Sequence, residues 1–162
     1  MDEILELLQK NAKAEPADIA LKLNISEDEV LRRIAEFEKK GIIVKYKTIV
    51  NRELLADEKE EVTALIEVKV TPQKDRGFDS IAERIYRFPE VIACYLLSGG
   101  YDLLVTVSGP DLRTVSSFVS EKLSPMEHVN GTVTHFLLKR YKDDGDILVR
   151  ETTKDRRPPI SA

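Results

Sequence analysis

Few residues in this chain are equipped to make or break covalent bonds. It has two histidines, His128 and His135, and one cysteine, Cys94. They fall in no Ser-His-Asp order and no metal-ligand cluster, and no glycine loop is built to cradle a phosphate. What the chain does carry is groups that recognise charge. Between Glu27 and Lys47 lie six basic residues, Arg32, Arg33, Lys39, Lys40, Lys45 and Lys47, and five acidic ones. Such cations can hold phosphate oxygens, and a guanidinium on an exposed helix face can also meet a guanine edge. Glu27 and Asp28 stabilise a helix N-terminus; they repel phosphates but can accept from a cytosine amine. The second polar group is the run Ser98, Gly99, Gly100, Tyr101 and Asp102. A Gly-Gly turn exposes amides that can hold a carboxylate, and Asp102 can take an ammonium. The same pair is also what any tight hairpin uses.

The elements that must position these groups follow from periodicity. Ser26 with Glu29 three residues later is a capping box, in which each side chain takes the other's amide. Val30, Arg33, Ile34 and Phe37 then recur at helical spacing, and Gly41 closes the helix. Pro16 opens a shorter helix with Ile19, Ala20 and Leu23 on one face. Only Asn24 and Ile25 separate the two, which reads as helix-turn-helix with residues 26–40 as the helix offered to the major groove. An ordinary helical hairpin has the same pattern. An earlier helix, residues 2–10, carries Ile4, Leu5, Leu7 and Leu8. Residues 42–50 are rich in β-branched side chains and are expected to form the strand of a wing, with Lys45, Tyr46 and Lys47 near phosphates.

After a charge-dense linker, residues 51–61, the period changes to two. Val62, Ala64, Ile66, Val68 and Val70 alternate with more polar residues, predicting a half-buried strand. Residues 72–77 turn the chain. Phe78, Ile81, Ala82, Ile85 and Tyr86 then mark an amphipathic helix stopped by Pro89. Residues 91–97 read as a buried strand, and Cys94 within it as a small core residue. The Gly99-Gly100 turn, with at least one residue at positive φ, returns the chain as a third strand. Asp111 caps a helix whose inner face is Leu112, Val115, Phe118, Val119 and Leu123. Residues 129–141 are the last strand. The order β-α-β-β-α-β is that of a ferredoxin-like α+β sandwich over residues 62–142. Its second sheet face, with Leu65, Leu96 or Leu104, needs a covering partner, most simply a second subunit. The tail, residues 143–162, is expected to add an edge strand at 147–149 and then end in disorder.

Composition agrees with this division. The 162 residues suffice for one domain or two small ones, and 42% hydrophobic with 33% charged residues describes a soluble globular protein. No apolar run approaches the ~20 residues that span a bilayer. The acidic N-terminus is unlike a secretory signal, and a lone cysteine suits a reducing cytoplasm. A net charge of −4 argues against a general polyanion binder.

An N-terminal winged helix-turn-helix, residues 1–50, joined to a βαββαβ unit resembles the leucine-responsive and asparagine-synthetase regulators, the Lrp/AsnC family. The likeness lies in Ile19-Ala20, in Ser26 followed by Val30-Leu31-Arg32-Arg33-Ile34, and in Phe37–Ile43 with Tyr46. It continues in Pro89-Glu90-Val91, Ser98–Asp102, Pro110-Asp111-Leu112, Thr132 and Thr134. Glu127-His128-Val129 departs from the Pro-Gly-Val turn usual there. Glu27 and Asp28 also depart from the family pattern, standing where its members more often carry small or neutral polar residues. The resemblance implies a regulator binding double-stranded DNA, for which the residues here offer Ser26, Asp28, Leu31, Arg32, Arg33, Lys39, Lys45 and Lys47. It also implies an amino-acid effector at Ser98, Gly99, Gly100, Tyr101 and Asp102, with Thr132, Thr134 and His135 nearby. By the same resemblance the chain is a homo-oligomer, at least a dimer and up to an octamer, and is not an enzyme. The alternatives are a small-molecule-binding or assembly protein of this fold without strong DNA binding, or a sirohaem decarboxylase, which would need clustered histidines and arginines.

Overall fold

The computed structural model describes residues 1–55, 61–72, 74 and 77–149. The chain falls into two compact units, Met1–Val50 and Asn51–Ala162. The expected disordered end, residues 150–162, and residues 56–60 of the linker lie outside the described residues.

The first unit is three helices: α1 (Glu3–Lys10), α2 (Pro16–Leu23) and α3 (Glu27–Lys39). Their apolar faces meet in a core of Ile4, Leu8, Ile19, Ala20 and Val30, flanked by Ile34 and Phe37. The ends are set by local chemistry. Asp2 caps α1, its Oδ1 accepting from the Ile4 amide at 2.9 Å. Asn24 takes the left-handed conformation (φ 54°) after α2, which its short polar side chain tolerates. Gly41, at φ 69°, closes α3. There the Gly41 amide bonds the Glu38 carbonyl at 3.0 Å and Ile42 bonds Phe37 at 2.8 Å, the paired bonds of a Schellman stop. Residues 42–50 form no strand, contrary to expectation. β-Branched composition makes a strand only where a ladder partner exists; this segment has none, and Val44 is left 85% exposed.

The second unit is built on β1 (Val62–Val70), β2 (Val91–Leu96), β3 (Leu103–Gly109) and β4 (Val129–Phe136), in the order β2-β3-β1-β4, all antiparallel. Helix α4 (Asp79–Tyr86) and helix α5 (Leu112–Ser117) cover one face. The core between is Ala64, Ile66 and Val68 from β1, Leu103, Val105 and Val107 from β3, and Ile81, Ile85, Val115, Phe118 and Leu123 from the helices. Alternation in β1 therefore read correctly, and the βαββαβ order is observed. Asp111 caps α5, accepting from the Thr114 amide at 2.7 Å.

Five details differ from the sequence reading. β2 is an edge strand, so Ile92, Tyr95 and Leu96 are more than half exposed rather than buried; Cys94 is half-buried against the core. Tyr86 and Leu112 are likewise exposed. α5 is short and continues as a π-helical stretch, Phe118–Leu123, whose bonds reach five residues back (Ser124 amide to Val119 carbonyl, 2.8 Å). β4 ends at Phe136. The tail forms a separate hairpin of β5 (Lys142–Asp143) and β6 (Asp146–Ile147), not a further strand of the main sheet.

Candidate nucleic-acid interface and ligand loop

The tight turn after Asn24 sets α3 against α2, and burial of Val30 decides which side of α3 faces out. Asp28, Leu31, Arg32, Ala35 and Lys39 lie on the exposed side, with Leu31 47% accessible. Ser26 is spent as the cap, its Oγ accepting from the Glu29 amide at 3.2 Å. The reciprocal half of the capping box is not made. The Glu29 carboxylate is taken instead by Arg32, at 2.7 Å to Nη2, and this hydrogen bond holds its pKa below the usual carboxylate value.

Arg33 does not share that side. Its Nη2 donates to Asp2 Oδ2, which ties α3 to the start of α1. Lys45 and Lys47 are exposed and have no ion pair among the described residues, but they project from an irregular segment rather than from a wing strand. Tyr46 donates to Glu38 at 3.0 Å. Residues 1–50 hold nine basic and ten acidic residues, so attraction to DNA has to come from the arrangement of charge on α3 and the segment after it.

The loop 98–102 joins β2 to β3 as expected, with Leu96 opposite Leu103. Neither Gly99 nor Gly100 has a positive φ, and a β-carbon on either would meet nothing within 4 Å. The turn therefore does not demand glycine for conformation, contrary to expectation. It leaves the backbone at Ser98, Gly99 and Gly100 exposed and uncovered.

Asp102 is not a free arm. Its amide bonds the Val68 carbonyl at 3.1 Å, and its carbonyl takes the Leu97 amide at 2.8 Å. Its Oδ2 accepts from the Val70 amide at 2.9 Å, and its Oδ1 lies 3.4 Å from Lys69 Nζ. The same ammonium reaches the Gly100 carbonyl at 3.3 Å. Lys69, absent from the sequence-based candidates, thus closes the loop onto β1. No periodic signal distinguishes it from other exposed strand residues.

β4 divides the remaining candidates. Thr132 is registered with Val68 and Thr134 with Ile66, so both point to the helix side of the sheet. Thr132 shares a 3.1 Å hydrogen bond with Ser124. His135 is registered with Leu65 on the open side, where its Nε2 lies 3.1 Å from Glu67. The structure brings Thr132 and Asp102 to the same end of the sheet, on either side of Val68, and separates His135 from them.

A three-helix unit with a helix-turn-helix, followed by an antiparallel βαββαβ unit, is the architecture of a two-domain DNA-binding regulator. A family model described as winged helix-turn-helix DNA-binding matches residues 3–44. One described as the Lrp/AsnC ligand binding domain matches residues 63–147. The chain is similar to an uncharacterized HTH-type transcriptional regulator of Bacillus subtilis, YugG, at 46% identity, covering 90% of this chain and 87% of that one. It is also similar to the leucine-responsive regulatory protein of Haemophilus influenzae, at 26% identity over 91% of this chain and 87% of that one. Among solved structures, the transcriptional regulator NMB0573 of Neisseria meningitidis in complex with L-Met aligns with a TM-score of 0.68 at 26% identity, covering 88% and 93% of the two chains. The chain belongs to the Lrp/AsnC family of transcriptional regulators. No described helix is long and apolar enough to cross a membrane.

Proposed function

We propose that the exposed side of α3 enters the DNA major groove and that an amino acid held at Ser98–Asp102 alters DNA binding or assembly. Asp28, Leu31, Arg32 and Lys39 are the contacts offered on α3, with Ser26 at its start and Lys45 and Lys47 able to reach phosphates. Arg33 serves the fold through Asp2. The observation that carries the effector half is the uncovered Gly99-Gly100 backbone beside an Asp102 carboxylate already fixed in position. The amides suit a carboxylate, and Asp102 suits an ammonium in exchange for Lys69. Thr132 stands at the same end of the sheet, opposite Val68, and Thr134 lies two residues further along β4, opposite Ile66. The crystallised NMB0573 complex, with L-Met as its ligand, supports the choice of ligand class. The protein acts in the cytoplasm, without catalysis and without a cofactor.

Assembly follows from the open sheet face. Leu65 and Leu104 are half-exposed there, and Tyr95 and Val133 are more than half exposed. Leu96 belongs to the other face, opposite Leu103. Apolar residues in such a patch are covered by a second copy in a dimer, which can associate further. The test is a gel-shift titration with DNA from upstream of the protein's own gene, paired with calorimetry against the twenty amino acids. The reading requires a shifted complex, heat of binding with one or a few amino acids, and weaker binding by Asp102→Asn, whose amide oxygen still accepts from Val70. Absence of heat with every amino acid, or equal binding by Asp102→Asn, would reduce the loop to a turn.

A further inference from the structure

Of the cations along α3 and at its end, Arg32 and Lys40 are already paired within the helix, whereas Lys39 is not paired among the described residues. Arg32 donates to Glu29 from Nε at 3.0 Å and from Nη2 at 2.7 Å. Its Nη1 lies 4.0 Å from Glu36 Oε2. Glu36 also accepts from Lys40 at 2.6 Å. The chain Glu29–Arg32–Glu36–Lys40 follows the three- and four-residue spacing at which helix side chains meet. A guanidinium recognises a guanine edge or a phosphate through a pair of donors in its plane. Here Glu29 holds the Nε–Nη2 pair, and Glu36 faces the remaining nitrogen. Arg32 and Lys40, respectively, hold the two carboxyls below their usual pKa, so both are anionic at neutral pH.

We infer that Glu29 and Glu36 set the DNA affinity of this regulator by holding Arg32 in an intrahelical ion pair that DNA must displace. The inference rests on the proposed use of α3 as the groove-facing helix. Duplex DNA attracts a protein by exchanging condensed counterions for its cations. An arginine already neutralised by a carboxylate contributes little to that exchange, and a carboxylate left beside a phosphate repels it. Lys39, Lys45 and Lys47 remain unpaired among the described residues, but acidic residues outnumber basic ones in residues 1–50, so no net positive charge offsets the loss. Binding to DNA of arbitrary sequence is therefore weak. Tight binding is confined to sites whose groove gives Arg32 a better partner than Glu29.

The carboxylates can be removed without undoing the helix. The cap uses the Glu29 amide, not its side chain, and exposed ion pairs contribute little to folding. Glu29→Gln, Glu36→Gln and Arg32→Ala, each alone and with Arg32→Ala combined with either, are compared in the full chain after circular dichroism shows equal helix content. The probes are a mixed-sequence duplex and a duplex selected from random sequence with the unaltered protein, titrated over a series of salt concentrations. Either Gln variant is expected to bind mixed-sequence DNA several-fold more tightly, with the salt dependence steeper by about one ion for the freed arginine. The gain should vanish when Arg32 is already Ala. A gain that persists in the Arg32→Ala background would overturn the clamp, since repulsion alone would explain it. Unchanged or weaker binding by the Gln variants, with the unaltered protein binding its selected duplex, would also overturn it; the carboxylates would then orient Arg32 for contact. If no form of the protein binds either duplex, the DNA reading of α3 falls and the inference with it.

Discussion

The ion pair between Asp2 and Arg33 makes a prediction about a small unit with little stability to spare. Asp2 does two things at once: Oδ1 caps α1, and Oδ2 accepts from Arg33 of α3. The Arg33 side chain is 32% and the Asp2 side chain 22% exposed, between the surface pairs that contribute about 0–1 kcal/mol and the buried ones whose rupture costs roughly 3–5 kcal/mol. A coupling of about 1 kcal/mol is the reasonable value for such a half-buried pair. Loss of an N-cap costs about 1 kcal/mol more. Asp2→Ala should therefore cost about 2 kcal/mol, against the roughly 3–5 kcal/mol that so small a core supplies. Asp2→Asn keeps a good cap and should cost only the coupling, as should Arg33→Met, which keeps the apolar stem. The double variant Asp2→Asn/Arg33→Met should cost little more than either alone. Urea unfolding followed through the amide resonances of α1 and α3 confines the readout to this unit. If the two single costs add to within about 0.3 kcal/mol, the residues are not coupled and the argument fails.

Two other substitutions probe the second unit. His128 sits at φ 72° in the turn before β4, a conformation costing a residue with a β-carbon about 1–2 kcal/mol. His128→Gly should stabilise by about 0.5–1 kcal/mol after allowing for the freer unfolded chain. It should raise Tm by a few degrees, and an unchanged or lower Tm would contradict the strain. Lys122 donates to Glu90, with its ammonium 5.7 Å from the centre of the Phe88 ring, and this hydrogen bond lowers the Glu90 pKa from its ordinary 4.5. A carboxyl depressed in the folded state stabilises above its ordinary pKa, and that contribution is lost as pH falls through the lowered value. The Tm advantage of the parent over Glu90→Gln should accordingly be full at neutral pH and shrink in acid. A constant difference across that range would exclude the ion pair as its source.

What could be read from the sequence was whatever depends on neighbours within about one turn or one strand. The caps Ser26 and Asp111, the stop at Gly41 and the inward residues of β1 are all local, and they stand as expected. The ion-pair chain on α3 was equally legible: Glu29, Arg32, Glu36 and Lys40 have the spacing that brings helix side chains together. The opposite facing of Thr132 and Thr134 against His135 was legible too, since an odd separation along a strand reverses the side. Residues 42–50 show the limit. Their β-branched side chains suit a strand, but whether a strand forms is decided by a ladder partner, and none pairs with them among the described residues. β2 shows the same limit in burial. Its apolar run is consistent with a central strand, and only the sheet order puts it at the edge.

The loop at Ser98–Asp102 depends on register, which no local pattern supplies. A Gly-Gly pair followed by tyrosine and aspartate suggests a flexible turn ending in a free carboxylate. The pairing of β1 with β3 instead places Asp102 beside Val68, Lys69 and Val70. The carboxylate is then spent on a backbone amide and an ammonium before any ligand arrives. An amino acid entering the loop would bring its own ammonium to a carboxylate that already has one, while Lys69, once released, could meet the incoming carboxylate. Exchange of one cation for another at a fixed acid conserves the ion pairing and costs little desolvation. It also couples occupancy to the end of β1, because the displaced ammonium is the one that holds the Gly100 carbonyl. On the proposed reading of this loop, a bound amino acid would therefore act first on β1, the strand that pairs with both β3 and β4.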